Sequence, residues 1–175
     1  MRIILIGAST GGPNKIQKII SSLGVLKESA VIIAQHMTSE FLYSWTKELN
    51  KISKNKIYIP QNNQKIEVGI YICEKKTYQK NLTFYKEETT SFNPDINTLF
   101  NSFVDLDIPK MGVILTGIGN DGVEGCYKLY KKGAICLTET KESAIIDGMS
   151  ARAREKNIPA FDFDEIVKKI VEFSK

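Results

Sequence analysis

Ile3-Ile4-Leu5-Ile6 is an unbroken apolar run that stops at Gly7, and no other feature limits the possible folds as strongly. A strand with one wet face alternates apolar and polar side chains. A run that is apolar at every position needs cover on both faces, as in a parallel sheet flanked by helices. Similar runs recur at residues 30–34, 111–116 and 134–138. Between them the apolar residues fall at helical spacing. Pro13 opens one such stretch, with Ile16, Ile19, Ile20 and Leu23 on a single face. Ser39 precedes another, carrying Phe41, Leu42, Trp45 and Leu49.

The later part of the chain repeats the alternation. The spacing predicts a helix opened by Pro94 with Ile96, Leu99, Phe100, Phe103 and Val104 on one face. Further helices are predicted over 121–132 and over 142–156, the latter interrupted or bent near Gly148, and a last one around Ile166, Val167, Ile170 and Val171. Short strands are predicted at 56–59, 69–73, 82–86 and 158–161, with a hairpin turn at Lys80-Asn81. The expected fold is α/β: a doubly wound, mostly parallel sheet with helices on both faces and a short antiparallel hairpin portion. Residues 1–175 contain no repeat, linker or low-complexity tract, so a single domain is expected.

Composition excludes several classes. Hydrophobic residues make up 42% and charged residues 25%, a globular balance. The apolar runs are too short to cross a membrane, and the N-terminal one meets a Gly-rich loop too early for a signal peptide. Cys73, Cys126 and Cys136 are odd in number and form no CxxC, so buried free thiols in a reducing cytoplasm are expected rather than disulfides or zinc. The net charge of +4 is spread over the whole chain, which argues against nucleic acid and gives only a mild bias toward acidic partners.

Parallel α/β sheets place their ligand sites at the carboxyl ends of the strands. Three chemically able residues fall there: Ser9, His36 and Asp121. Gly7-Ala8-Ser9-Thr10-Gly11 satisfies G-x-S-x-G, in which a sharp strand-to-helix turn exposes the serine hydroxyl. The helix that follows offers unpaired N–H groups to an oxyanion. The plainer alternative is a serine that caps that helix. The loop lacks the third position of G-x-G-x-x-G and has no Gly-Lys-Ser/Thr, so nucleotide binding is a weak rival. His36, the only histidine, is the one imidazole able to serve Ser9 as base. Asp121 can accept the imidazole N–H, or it can simply cap the helix after it. The order Ser, His, Asp differs from the Ser, acid, His order of α/β-hydrolases, so the motif does not imply that fold.

Three segments together carry a resemblance. Ile6-Gly7-Ala8-Ser9-Thr10-Gly11-Gly12, Gln35-His36-Met37 and Leu115-Thr116-Gly117-Ile118-Gly119-Asn120-Asp121-Gly122 resemble the chemotaxis protein-glutamate methylesterase family, of CheB type. Supporting matches run from Pro94-Asp95-Ile96 to Asp147-Gly148-Met149. The resemblance implies hydrolysis of glutamate methyl esters on the cytoplasmic helices of methyl-accepting chemotaxis receptors, with glutamine deamidation through the same acyl-enzyme. It implies Ser9 as nucleophile, His36 as base and acid, Asp121 as orienting carboxylate, and oxyanion donors at Thr10, Gly11 and Ile118. It implies no metal, no cofactor, no nucleic acid, no membrane insertion, a cytoplasmic location and a monomer. The rivals are a serine hydrolase for another ester or amide and an inactive receptor-binding module. Ile118 stands where the family usually has methionine, and Ser150-Ala151 where it usually has Pro-Arg. The stretch 71–76 lacks the usual Pro-Gly turn and the histidine after it. The chain starts at the first catalytic strand, so a catalytic domain without the family's receiver domain is expected.

Overall fold

The computed structural model describes residues 1–88 and 94–175. Its first apolar run becomes β1 (Arg2–Ala8), followed by helix α1 (Gly12–Ser22), β2 (Ser29–Gln35) and α2 (Ser39–Ile52). Two short strands, β3 (Ile57–Tyr58) and β4 (Gly69–Ile72), lead to a hairpin of β5 (Lys76–Lys80) and β6 (Thr83–Glu87). Then come α3 (Ile96–Asn101), β7 (Lys110–Ile114), α4 (Val123–Lys131), β8 (Ile135–Glu139), α5 (Met149–Glu155), β9 (Ala160–Phe161) and α6 (Phe163–Phe173).

Seven of these strands form one sheet in the order β3-β4-β2-β1-β7-β8-β9. Every neighbouring pair in it is parallel. The chain builds outward from β1 in one direction, then returns to start β7 on the other side. The break in winding therefore lies between β1 and β7, where open α/β sheets form their ligand crevice.

The unbroken apolar runs divide their side chains between two cores. Ile4, Ile6, Val31 and Ile33 point to the face covered by α1, α2 and α6. Ile3, Leu5, Ala30 and Ile32 point to the face covered by α3, α4, α5 and the hairpin's Phe84. At about 25 cal/mol per Å² of apolar surface, such double burial is the main force holding the central strands.

Three details depart from the sequence expectation. The strands at 56–59 and 69–73, which with 82–86 are candidates from the sequence for the antiparallel part, join the parallel sheet, and among the described residues the antiparallel strand pair is β5 with β6, a separate ribbon. The hairpin turn lies at Asn81-Leu82, both at positive φ, one residue later than the composition suggests. The predicted helix over 142–156 forms only from Met149. Before it, Ile146 donates its N–H to Thr116 Oγ1 (2.8 Å) and accepts from Gly117 N (3.0 Å). Those tertiary hydrogen bonds replace the helical ones that the periodicity favours.

Candidate active site

Three strand ends are laced together by backbone hydrogen bonds. The His36 N–H donates to Ala8 O (3.0 Å), and the Ser9 N–H donates to Thr116 O (2.9 Å). Ser9, His36 and Thr116 thus leave β1, β2 and β7 in fixed register, and the Ser9 loop folds back on itself through Gly12 N to Ser9 O (2.9 Å). Gly11, at φ 84°, turns the chain into α1. Gly117 lies against the serine: a Cβ there would stand 2.6 Å from Ser9 Cβ. A side chain at either glycine would displace the nucleophile loop.

Gln35 adds a side-chain clamp. Its amide Nε2 donates to Ser9 O (2.9 Å) and to His36 O (3.1 Å), which ties the loop after β1 to the loop after β2. The residue is buried.

Asp121 lies on the far side of His36. One oxygen, Oδ2, is 2.7 Å from His36 Nε2. The same oxygen accepts the Ile96 N–H (2.9 Å), and Oδ1 accepts the Asn97 N–H (3.0 Å). The carboxylate therefore meets the first amides of α3 and does not cap α4, whose cap is Gly122. Burial alone would raise the Asp121 pKa. The hydrogen bonds from His36 and the two amides outweigh burial and hold it below the ordinary carboxylate range. In the familiar Ser-His-Asp triad the acid takes Nδ1 of the imidazole. Here it takes Nε2, so the ring is turned end for end.

These groups share one cleft of about 290 Å³, lined by Ser9, Thr10, His36, Ile118, Asn120 and Asp121. Ser9 is half-buried, while Thr10 and Ile118 are exposed. Among the described residues, no backbone acceptor takes the N–H of Thr10, Gly11 or Ile118. Thr10 and Ile118 stand on the cleft wall. Gly11 stands behind Thr10, against the Ile145 side chain. A larger hollow of about 620 Å³ opens near β8, β9 and α6, but its only charged lining residues are Lys169 and Glu172. The smaller cleft has the serine, the imidazole and the carboxylate, so chemistry rather than volume marks it as the site.

Other reactive groups are scarce. The three cysteines are buried and free, and burial pushes the Cys73 thiol up to about 12. Such thiols are poor nucleophiles at neutral pH. Among the described residues, no group of three or more His, Cys, Asp or Glu side chains could hold a metal ion. No helix there is long and apolar enough to cross a membrane.

The structure thus brings Ser9, His36, Asp121, Thr10 and Ile118 to one place. Sequence reasoning did not single out Gln35, Thr116 or the α3 amides as parts of it. Gln35 sits beside the only histidine, in the Gln35-His36-Met37 segment that carries the resemblance, and that placement was the available signal.

Fold and cleft together define a class: parallel α/β proteins that gather a serine, a histidine–carboxylate pair and backbone amides at adjacent strand ends. Within that class, the chain belongs to the CheB methylesterase family, whose model matches residues 4–170. A protein-glutamate methylesterase/protein-glutamine glutaminase of Lawsonia intracellularis is 30% identical over 181 residues, covering 96% of this chain and 51% of that protein. A relative of the same name from Caldanaerobacter subterraneus subsp. tengcongensis is 28% identical, covering 99% of this chain and 53% of its own length. The chain thus spans about half the length of these relatives. The crystal structure of the Thermotoga maritima CheB methylesterase catalytic domain superposes with a TM-score of 0.86 at 23% identity, covering 97% of each chain. At that identity the match speaks to fold alone.

Proposed function

We propose that this chain hydrolyses glutamate methyl esters on the cytoplasmic helices of bacterial chemoreceptors, giving glutamate and methanol, and deamidates receptor glutamines at the same site. The observation that carries this reading is the 2.7 Å contact of His36 Nε2 with Asp121 Oδ2, in the cleft that Ser9 also lines. Family membership and the names of the relatives supply the substrate class. The cellular location follows from the substrate and is the cytoplasm.

The steps follow from the side chains. Ser9 Oγ attacks the ester carbonyl carbon while His36 takes its proton. Asp121 already holds Nε2, so the proton traffic with Ser9 falls to Nδ1. The Asp121 carboxylate fixes the tautomer of the neutral ring and stabilises the imidazolium that forms. The carbonyl oxygen, now negative, accepts the N–H groups of Thr10 and Ile118. His36 returns the proton to the departing methoxide, leaving an acyl-serine. Water then gives a proton to His36 and attacks the acyl carbon, and His36 returns that proton to Ser9 Oγ as the acyl–serine bond breaks, which releases glutamate and free Ser9. With glutamine the first leaving group is ammonia.

Methanol release from methylated receptor by wild type and by Ser9→Ala tests the reading. A loss of about 10⁴-fold or more is expected when a triad nucleophile is removed. Near-normal release from the variant would refute the assignment. A small generic methyl ester hydrolysed as efficiently as the receptor would keep the hydrolase and remove the receptor from the reading.

A further inference from the structure

A second acid–base pair lies on the other side of Ser9, and the mechanism above does not use it. Glu139 is the last residue of β8 and is fully buried, while the Lys15 side chain, in the first turns of α1, is 11% exposed. Lys15 Nζ donates to Glu139 Oε1 and to Ser143 O (2.7 Å). Ser143 Oγ also donates to Oε1 (2.7 Å). The other oxygen, Oε2, accepts the Thr116 N–H (2.8 Å).

Thr116 is the residue from which the nucleophile loop hangs. Its carbonyl holds the Ser9 N–H (2.9 Å), and its hydroxyl donates to Thr10 O (3.0 Å). Two residues further on stands Ile118, whose N–H is one of the two proposed oxyanion donors. A single buried carboxylate therefore sits at the root of both donor segments and of the nucleophile.

Stability alone is a poor reason to keep such a pair, since well-packed apolar residues often do as well or better in its place. Donor count is a better one. Three protein donors converge on the two oxygens of Glu139, and a carboxylate can accept all of them. An amide has one oxygen and would turn its NH₂ toward the ammonium of Lys15. The lysine neutralises a charge that would otherwise lie bare near a developing oxyanion.

We propose that the Lys15–Glu139 pair is a positioning device: Glu139 fixes Thr116, and Thr116 fixes the Ser9–Thr10 loop and the Ile118 amide. The kinetic part of its test rests on the ester-hydrolase reading. The structural part does not.

Two double variants separate the roles of charge and acceptor. Lys15→Met/Glu139→Gln removes both charges, keeps an oxygen for the Thr116 N–H and leaves the amide NH₂ free to donate to Ser143 O. Its kcat on methylated receptor should stay within about threefold of wild type. Lys15→Met/Glu139→Leu removes the acceptor as well. Its kcat should fall about 100-fold with KM nearly unchanged, the size of effect that a small misplacement of reacting groups produces. Hydrogen exchange in segments 8–12 and 116–119 should quicken about 10-fold in that variant and not in the Gln variant. Wild-type kcat and exchange in the Leu variant would overturn the proposal. Should that variant fail to fold, Thr116→Val, which cuts the link to Thr10, is expected to lose about 10-fold in kcat, and an unchanged kcat would overturn the proposal equally. Failure of wild type to show Ser9-dependent hydrolysis would sink the esterase reading, while the exchange data would still decide whether Glu139 orders the loop.

Discussion

Two charge-bearing pairs flank Ser9, and they are built in opposite ways. His36 and Asp121 line the cleft, with 9% and 25% of their side chains exposed. Lys15 and Glu139 lie on the other side, at 11% and 0%. In the proposed mechanism the first pair changes its charge during turnover, so it needs a route to substrate and water. The second has no reacting atom in reach, and the oxygens of its acid face only donors of the protein. The difference teaches that a carboxylate paired with a basic side chain serves proton transfer or fixed geometry according to its access and its partners.

The strongest way to break this comparison is Asp121→Asn. The variant keeps the shape of the first pair and removes its charge. Hydrolysis is expected to fall about 10⁴-fold, as when a triad acid becomes an amide and the wrong imidazole tautomer is held. Steady-state methanol release measures it, and a loss below tenfold would mean that Asp121 only anchors α3. Lys15→Met does the converse to the second pair. It leaves Glu139 buried without its counter-charge, and a loss of about 3–5 kcal/mol in folding stability is expected. Urea unfolding at neutral pH reads it out. A loss below 1 kcal/mol would show that Glu139 is not an isolated buried charge in the variant.

Acidity gives a third, smaller contrast. The folded pKa of Asp121 lies below its unfolded value. Its ionised form therefore stabilises the fold at every pH above the unfolded pKa, near 4, and that contribution is lost as pH falls through the lower folded value. Wild type should lose stability more steeply below about pH 4 than Asp121→Asn does. Parallel acid titrations of the two proteins, followed by circular dichroism, decide it. Identical curves would remove Asp121 from the account of acid unfolding.

How much of this was legible in the sequence depends on how local each feature is. The buried parallel strands were legible because every position of Ile3 to Ile6 is apolar, and the two cores confirm why. Ser9, His36 and Asp121 could be drawn together because each follows such a run, and parallel strands deliver their ends to one edge. Glu139 follows a run of the same kind, yet nothing local separates an acid buried there from one that meets solvent. Its role depends on β8 lying beside β7 and on α1 bringing Lys15 across both. The helix expected over 142–156 fails for a related reason. Its apolar spacing is helical, but Ile146 and Gly148 are claimed by Thr116 and Gly117. Asp121 shows the same limit at the level of one residue: its position suggested a cap for α4, and its oxygens instead meet α3, which precedes it in the chain.

The smallest expected effect concerns the third element of the site, which belongs to neither pair. Ile118 stands where the resemblance has methionine, on an exposed wall of the cleft, 66% accessible. In the proposed mechanism its contribution is a backbone N–H, and a backbone group is indifferent to the side chain it carries so long as the turn is kept. That turn is set by Gly117, packed against Ser9, and by the bonds of Gly117 N to Ile146 O and of Met149 N to Gly117 O (3.0 and 2.9 Å). None of these involves the Ile118 side chain. Ile118→Met should therefore change kcat by less than about threefold, because it leaves the oxyanion donor in place. A change in KM alone would point to a contact between this side chain and the substrate. A tenfold change in kcat would mean that the side chain shapes the reacting geometry, and Ile118 would then join the two pairs as a determinant of catalysis.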